Sequence, residues 1–277
     1  MIRIITDSTA DLNVELAQAR QVETVPLSVY IGGKTYQDGL ELRSENLFPL
    51  VEQTGELPKT AAPSAGEFQK VFEQPGECIY IGISSGLSAS VQNARVGAQD
   101  LEAGKVRIID SLNVSSGTGL LVLRAADLRD QGCSADEIER EILALVPKLR
   151  TIFIIDTMEY LYKGGRCSAL QMFAGSLLKI RPIIDIKPDG TMGVKDKSRG
   201  SRRKGLQMLL DDLESQLQDV NPQRVCISHT GCYEDADFMV SEISRLLPGA
   251  EVLSFITGSV VSSHGGPNTL GLEFILK

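Results

Sequence analysis

Short apolar runs alternate along this chain with stretches in which apolar residues recur every three or four positions. The short runs have the length and content of buried strands, and they lie at 2–5, 78–83, 106–109, 151–155, 224–228, 251–256 and 270–276. The stretches between many of them have helical spacing. Because strands that alternate with helices pair mostly in parallel, the pattern predicts an α/β fold on mainly parallel sheets, with the last run closing the sheet.

Turn and helix-cap signals predict local boundaries. The Gly-Gly pair at 32–33 predicts a two-residue hairpin, and the Pro-Asp-Gly sequence at 188–190 predicts a second hairpin. Ser64 and Ser134 are each followed three positions later by Glu, which is the spacing of a capping box and predicts a helix after each serine. A further helix is predicted from 168 to about 178.

The domain organisation follows from the chain length and from Pro147. At about 150 residues per domain, 277 residues predict two domains. Pro147 ends a predicted helix, and the alternation of strands and helices starts again after it. The sequence therefore predicts an N-terminal α/β domain over 1–149 and a C-terminal α/β domain over 150–277.

Composition and charge exclude several classes of protein. The chain is 42% hydrophobic and 23% charged, which is ordinary for a globular protein and excludes a disordered or collagenous chain. A net charge of −8 argues against nucleic-acid binding and against electrostatic adsorption to anionic membranes. The sequence has no apolar run of transmembrane length and no signal peptide at Met1, so we expect a cytoplasmic protein without integral membrane association.

The sequence predicts neither a metal site nor a nucleotide cofactor. Cys226 and Cys232 flank His229, but their spacing lacks the usual zinc-ligand pattern, and buried reduced thiols are the simpler interpretation. The phosphate-binding loop G-x-x-x-x-G-K-[ST] and the dinucleotide loop G-x-G-x-x-G are both absent from the sequence. We therefore expect no cofactor.

Polar loops that adjoin the predicted strands carry the candidate binding residues. Ser88 precedes a predicted helix, where its hydroxyl and the backbone N–H groups near Ala89 form a site suited to an anion. Thr60 supplies a second hydroxyl, and Arg166 supplies a fork-shaped cation suited to a carboxylate. His264, one of only two histidines, lies in a glycine-rich loop. Each residue also has a purely structural interpretation, as a helix cap or a loop side chain.

A second interpretation is that the chain is a serine hydrolase of the α/β type. Residues 82–86 match the nucleophile-elbow pattern G-x-S-x-G and follow a strand, with Ser84 as the nucleophile and His264 downstream as the base. Against this interpretation, the elbow needs a helix directly after its serine, whereas the helix signal here begins at Ser88. The pattern also belongs to one continuous sheet rather than to two domains.

A third interpretation is that the chain is a docking module that recruits an acidic protein. Basic residues are concentrated between 195 and 204, which is a dense basic block in an acidic chain. Cations at a helix start oppose the helix dipole, so their placement favours an anionic partner nearby. The candidate docking residues are Arg199, Arg202, Arg203 and Lys204.

Six segments taken together resemble the DegV family, which includes the fatty-acid-binding subunits of bacterial fatty acid kinase. The six segments span nearly the whole chain, at 6–12, 59–64, 84–88, 163–166, 178–183 and 264–267. This sequence departs from the family pattern at Ala61-Ala62 in place of Ser-Gln, at Ala89-Ser90 in place of Gly-Thr, and at Asn268 in place of Gly.

The resemblance implies a two-domain α/β fold with a long-chain fatty acid held between or inside the domains. It implies that Thr60 and Ser88 hold the carboxylate, with the neighbouring Ala89, His264 and Arg166 in the surrounding network. It also implies a partner, a separate ATP-dependent fatty acid kinase that phosphorylates the bound acyl group, so that this chain carries out no chemistry of its own. We expect the helical residues 170–174 and the Leu177-Leu178 pair to contribute apolar lining, although packing in an ordinary core is the simpler interpretation of them.

Overall fold

The computed structural model describes residues 2–167 and 180–277, which contain thirteen strands and ten α-helices. The strands are β1 (Arg3–Asp7), β2 (Val22–Val25), β3 (Ser28–Ile31), β4 (Lys34–Gln37), β5 (Lys59–Ala61), β6 (Cys78–Gly82), β7 (Val106–Asp110), β8 (Leu149–Ile154), β9 (Ile180–Ile186), β10 (Met192–Arg199), β11 (Val220–His229), β12 (Glu251–Ile256) and β13 (Leu270–Leu276). The helices are α1 (Val14–Ala19), α2 (Ser44–Thr54), α3 (Ala65–Phe72), α4 (Ser90–Gly97), α5 (Ser116–Asp130), α6 (Ala135–Leu145), α7 (Glu159–Lys163), α8 (Arg202–Glu214), α9 (Tyr233–Leu246) and α10 (Ser259–Gly265). The predicted α/β fold class is confirmed.

The first half of the chain forms a four-stranded parallel sheet in the order β2-β1-β6-β7. All five residues of β6 are buried, as expected for a strand covered on both faces. Helix α5 packs against this sheet on one side and against β8, β11 and β13 on the other. Because small and apolar residues occupy nearly every side of α5, the helix is buried between the two sheets.

The second half forms a six-stranded sheet in the order β10-β9-β8-β13-β11-β12. The prediction of mainly parallel sheets is wrong here, because β11 and β12 form its one parallel pair. The confirmed hairpin at 188–190 joins β9 directly to β10 and makes that pair antiparallel. The prediction that the last strand closes the sheet is also wrong. Six of the seven residues of β13 are buried, and the strand lies between β8 and β11.

A small antiparallel sheet, in the order β4-β3-β5, completes the described strands. The predicted hairpin at 32–33 joins β3 to β4, and both glycines have the positive φ that its turn requires, 57° and 76°. The sequence interpretation treated 59–64 as a loop, but its first three residues form β5 and pair with β3. Helix α10 packs against β3 and β5, which brings β5 to the candidate site.

Local signals in the sequence are largely confirmed. Ser64 and Ser134 each form a complete capping box at the start of α3 and α6. The helix predicted from 168 to about 178, with the expected lining residues 170–174 and 177–178, lies outside the residues that the structure describes. The domain boundary between 149 and 150 stays a prediction. Within the described ranges, none of the helices combines the length and the apolar character that crossing a membrane requires.

Asp127 connects α5 to the end of α1 and to β11 through charges that are largely buried. Its carboxylate accepts hydrogen bonds from Arg20 at 2.6 Å and from Gln223 at 3.0 Å, and it also pairs with Arg224. Burial favours the neutral acid, but the hydrogen bonds and positive charges of Arg224 and Arg20 outweigh it and lower the pKa of Asp127. The ionised carboxylate therefore neutralises two largely buried guanidinium groups.

We predict that Asp127→Asn lowers the free energy of unfolding by about 1–3 kcal/mol, because it removes the buried counter-charge that Arg224 and Arg20 share and leaves them only their more exposed partners, Glu251 and Asp130. Urea denaturation of the variant and the wild type measures the difference. The control is Glu242→Gln, which removes the partner of the exposed Arg245 and should change stability by less than about 0.5 kcal/mol. Equal effects of the two substitutions would contradict the prediction.

Candidate functional site

A cavity of about 180 Å³ lies where the three sheets meet. Its walls come from the segments that follow β1 and β6, from β5, β8 and β13, and from α10. Much of the lining is apolar and includes Leu27, Ile83, Val114, Phe153, Met192 and Val260. All five residues predicted to bind a carboxylate also line this cavity, namely Thr60, Ser88, Ala89, Arg166 and His264.

Thr60 and His264 form the central polar contact of the cavity. Thr60 lies on β5 and His264 lies in the last turn of α10, and their Oγ1 and Nε2 atoms are 2.8 Å apart. Gly164 packs against the other side of the imidazole, and a Cβ at this position would collide with His264 Nδ1 and with the carbonyl oxygen of Tyr160. The glycine at 164 therefore leaves the room that the ring occupies.

Burial keeps His264 neutral. Desolvation, helped by the positive charge of Arg166, lowers the pKa of His264 from 6.5 to about 4. A neutral imidazole carries one N–H donor. When that proton is on Nε2, the ring donates to Thr60 Oγ1, and the threonine hydroxyl is free to donate its own proton to a bound carboxylate.

The structure corrects the position of Ser88. The sequence predicts a helix start at Ser88, whereas α4 begins at Ser90 with Ala89 as its N-cap residue. Ser88 Oγ lies 2.9 Å from Ser90 Oγ and accepts a hydrogen bond from the Ser90 amide at 3.3 Å. Because Ser88 stands outside the helix, its half-buried hydroxyl faces the cavity rather than serving as the helix cap.

Arg166 brings a positive charge to the rim of the cavity. Its guanidinium donates to the carbonyl oxygens of Gly164 at 2.5 Å and Leu87 at 3.4 Å, so backbone atoms hold it in place. Within the described ranges it forms no ion pair with a carboxylate. The exposed charge is therefore available to attract an anion toward Thr60 and His264.

A second, more polar cavity of about 530 Å³ adjoins the first. Its walls include the end of α2, residues 55–59 and α7. Thr60, Arg166 and His264 line both cavities, so these three side chains stand between a mainly apolar interior and a polar exterior. This arrangement can hold an amphiphile with its anionic head at the three residues and its hydrocarbon inside.

Two buried carboxylates that the sequence analysis missed position α10. Asp38 accepts hydrogen bonds from the amides of Ser259 at 2.6 Å and Val260 at 3.3 Å, and Asp11 accepts one from the Gly258 amide at 2.8 Å. Burial raises the pKa of both aspartates. Since α10 carries His264, these contacts fix the imidazole relative to Thr60. The aspartates lie more than 200 positions from α10, and no sequence spacing signals the contact.

Glu273 is another cavity residue that the sequence analysis missed. It lies on β13, is buried, and lines the cavity beside Ser228 and Thr151. Burial raises the pKa of Glu273 from 4.5 to about 8. A signal was present in the sequence, because Glu273 is the one charged residue in the apolar run 270–276.

The structure does not support the serine hydrolase interpretation. Ser84 is fully buried, and its hydroxyl donates to the carbonyl oxygen of Gly190 at 2.7 Å. His264 contacts Thr60 instead. The nucleophile elbow requires a helix directly after the serine, but α4 begins six residues later, at Ser90.

The basic block divides into structural and exposed residues. Arg202 is half-buried and pairs with Asp156 at 3.0 Å and with Asp235, so its charge is already neutralised. The guanidinium of Arg203 lies over the ring of Phe238. Arg199, Arg203 and Lys204 are all exposed, and Arg199 and Lys204 form no ion pair or ring contact among the described residues. The prediction that the block docks a partner stays a prediction, and it depends most on Arg199 and Lys204.

Comparisons with known proteins all point to one family. The family model described as "Uncharacterised protein, DegV family" matches residues 1–277. A DegV domain-containing protein of Caldanaerobacter subterraneus is 32% identical over 281 residues, which cover 99% of this chain and 98% of that protein.

Two solved structures share the fold along the whole chain. A DegV family protein from Thermus thermophilus, described by its fatty acid binding, has a TM-score of 0.93 at 30% identity and covers 100% of this chain and 99% of its own. The fatty acid kinase B3 protein of Streptococcus pneumoniae, solved with linoleic acid, has a TM-score of 0.88 at 24% identity and covers 100% of both chains. At that identity the second likeness is one of fold.

We predict that His264→Gln makes stability less dependent on pH below about 6.5. The folded pKa of about 4 lies under the unfolded value of 6.5, so the unfolded state binds the proton first and the free energy of unfolding falls as pH drops through this window. Between about pH 7 and pH 4.5, the wild type should lose about 2–3 kcal/mol more than the variant.

Urea denaturation of both proteins at the two pH values measures this difference. Ser244→Ala is the control, because it removes an exposed hydroxyl and no titrating group, so its pH dependence should equal that of the wild type. Identical pH dependence in wild type and His264→Gln would show that the imidazole is not held in its neutral form.

Proposed function

Because this chain belongs to the DegV family, we propose that it binds a long-chain fatty acid, with the acyl tail in the apolar cavity and the carboxylate at Thr60 and Ser88. The ligand lies between two proposed domains, 1–149 and 150–277, since residues from both ranges line the cavity. The observation that carries this function is that Thr60, Arg166 and His264 separate the apolar cavity from the polar one.

The energetics of an acyl chain agree with this arrangement. About 15 methylenes at about 0.8 kcal/mol each give a gross driving force of about 12 kcal/mol for burial. A carboxylate that loses its hydration must regain several hydrogen bonds. Thr60 and Ser88 supply hydroxyl donors, the N–H groups near Ala89 supply backbone donors, and Arg166 supplies a positive charge within the network around His264.

The head group is held chiefly by neutral donors. Hydroxyls stabilise an anion less than a bidentate guanidinium does. Arg166 directs its donors to the carbonyl oxygens of Gly164 and Leu87, so it contributes charge rather than a clamp. Such a site retains the tail tightly and still leaves the carboxylate open to reaction, which suits a carrier.

The partner that we propose is a separate ATP-dependent fatty acid kinase, which phosphorylates the bound carboxylate. Support comes from the shared fold with the fatty acid kinase B3 protein of Streptococcus pneumoniae, and from the lack of nucleotide-binding loops in this sequence. The polar cavity gives a phosphoryl donor access to the carboxylate at Thr60. The chain then acts as a carrier without chemistry of its own, in the cytoplasm, where ATP is available.

We predict that Thr60→Val and Ser88→Ala each weaken palmitate binding by roughly 10- to 100-fold, because each removes a hydrogen bond to a charged group. Equilibrium binding of radiolabelled palmitate to delipidated protein measures the effect. Ser244→Ala is the matched control, since that exposed hydroxyl on α9 donates to a backbone carbonyl outside the cavity. Its affinity should equal that of the wild type.

The wild-type protein provides the decisive test of the function. After purification it should contain long-chain fatty acid that mass spectrometry detects in a lipid extract. A lipid-free preparation that also fails to take up palmitate or oleate would overturn the proposed function. Unchanged palmitate affinity in a Thr60→Val, Ser88→Ala double variant would instead place the carboxylate elsewhere in the cavity.

We predict that charge reversal at Arg199 and Lys204 lowers kinase-dependent phosphorylation of bound palmitate at least tenfold and leaves palmitate affinity unchanged. These residues are exposed and do not line the cavity. Arg202 is not substituted, because it forms ion pairs with Asp156 and Asp235. Phosphorylation with ATP and an added fatty acid kinase measures the effect. Arg245→Glu, an exposed cation outside the block, is the control. Full phosphorylation of the reversed variant would exclude the block as the docking surface.

A further inference from the structure

Glu273 places a carboxylic acid in the wall of the apolar cavity. Its side chain is 1% exposed, and on β13 it lies opposite Thr151 of β8. Alternate residues of β13 face the other way, into a cluster with α8 and α9, so Glu273 points toward α5 and the cavity. Ser228 Oγ donates a hydrogen bond to Glu273 Oε1 at 2.6 Å.

The second oxygen of this carboxyl group has no hydrogen-bond partner among the described residues. Of the side chains that line the cavity there, two have a buried polar atom without a partner, and these atoms are Glu273 Oε2 and His264 Nδ1. Neighbouring hydroxyls are already bonded, since Thr151 donates to Asn113 and Thr269 donates to a carbonyl oxygen. His264 Nδ1 faces Gly164, so the unused hydrogen-bonding capacity in the wall of this cavity belongs to Glu273 Oε2.

Glu273 is well separated from the head-group residue His264 along the fold. His264 lies in α10, and the following loop leads into β13 at Leu270. Glu273 lies three residues further along, which is about 10 Å into the sheet at the usual rise of a strand. Gly271 keeps this position open, because a Cβ there would collide with Glu273 Oε1 and with Ser228 Oγ.

The chemistry of Glu273 is that of a hydrogen-bond donor. Burial, together with the charge of Asp11, raises its pKa to about 8, so the acid is protonated at neutral pH. Since Ser228 donates to Oε1, the proton of the acid belongs on Oε2, the oxygen without a hydrogen-bond partner among the described residues. A saturated hydrocarbon offers no acceptor there, whereas an oxygen on the chain would accept this hydrogen bond and a hydroxyl would also return one.

We propose that the cavity selects a long-chain fatty acid that carries a hydroxyl group within its acyl chain, and that Glu273 hydrogen-bonds this hydroxyl while Thr60 and Ser88 hold the carboxylate. This inference rests on the proposed function and names its substrate class. Glu273 acts as a specificity-determining residue, because its hydrogen bond forms with a chain that has an oxygen at one depth in the cavity.

A series of stearic acids with the hydroxyl at successive positions along the chain tests the proposal with wild-type protein. Competition against radiolabelled stearic acid measures each relative affinity. We expect one positional isomer, or two adjacent ones, to bind about tenfold more tightly than stearic acid, as a single buried hydrogen bond provides. Isomers with the hydroxyl elsewhere should bind more weakly than stearic acid, because they bury an unpaired hydroxyl.

Variants of Glu273 assign the preference to this residue. Glu273→Met removes the donor and should abolish the preference while stearic acid binds at least as tightly as before. Glu273→Gln keeps a donor at a similar position and should retain most of the preference. Thr60→Val is the matched control, since it should weaken stearic acid and the favoured isomer by the same factor.

The outcomes separate this proposal from the proposed function. If stearic acid binds and no isomer binds more tightly, the assignment of Glu273 is overturned and fatty acid binding stands. If neither stearic acid nor any isomer binds, the proposed function itself fails. A preference that survives Glu273→Met would also overturn the proposal. The isomer series uses wild-type protein alone. If Glu273→Met does not fold, the relative affinities of the isomers for the wild type and for Glu273→Gln still test the proposal.

Discussion

The hydrogen bond between Thr60 and His264 is the contact on which the site depends. It joins β5 of the small sheet to α10. Both elements are short, so each needs contacts with other parts of the fold to keep its position. β5 is held by its pairing with β3. α10 is held at its first turn by Asp38. Thr60 and His264 therefore have a fixed position on the rim of an apolar cavity. The rim is where the hydrocarbon tail of a bound amphiphile would meet its charged head group.

The parts of the fold that could be predicted from the sequence are those that a few neighbouring residues determine. A capping box at Ser64, a turn at 188–190 and an apolar strand such as β6 each follow from a few neighbouring residues. The pairing order of the six-stranded sheet has no local cause. A fully apolar run such as 270–276 indicates a buried strand, but it does not give the neighbours of that strand or their direction.

The same division applies to the site. Hydroxyl and cationic residues in loops were identifiable because anion binding needs those groups, and the structure brings Thr60, Ser88 and Arg166 to one cavity. Asp38 was missed because its role is to hold α10, some 220 positions away, and only the folded chain shows it. Glu273 was missed although an acid within an apolar strand is a strong sign of either a buried partner or a function.

The charge state of the cavity follows from opposite shifts of two buried groups. Burial lowers the pKa of His264 to about 4 and raises that of Glu273 to about 8, since both shifts favour the neutral form. Between these values, the one charged side chain among the described lining residues is Arg166, at the rim. The interior is then uncharged over the physiological range, and the single positive charge lies where a carboxylate would stop. An anionic amphiphile thus has one favourable orientation, with its tail inward and its head at Arg166, Thr60 and His264.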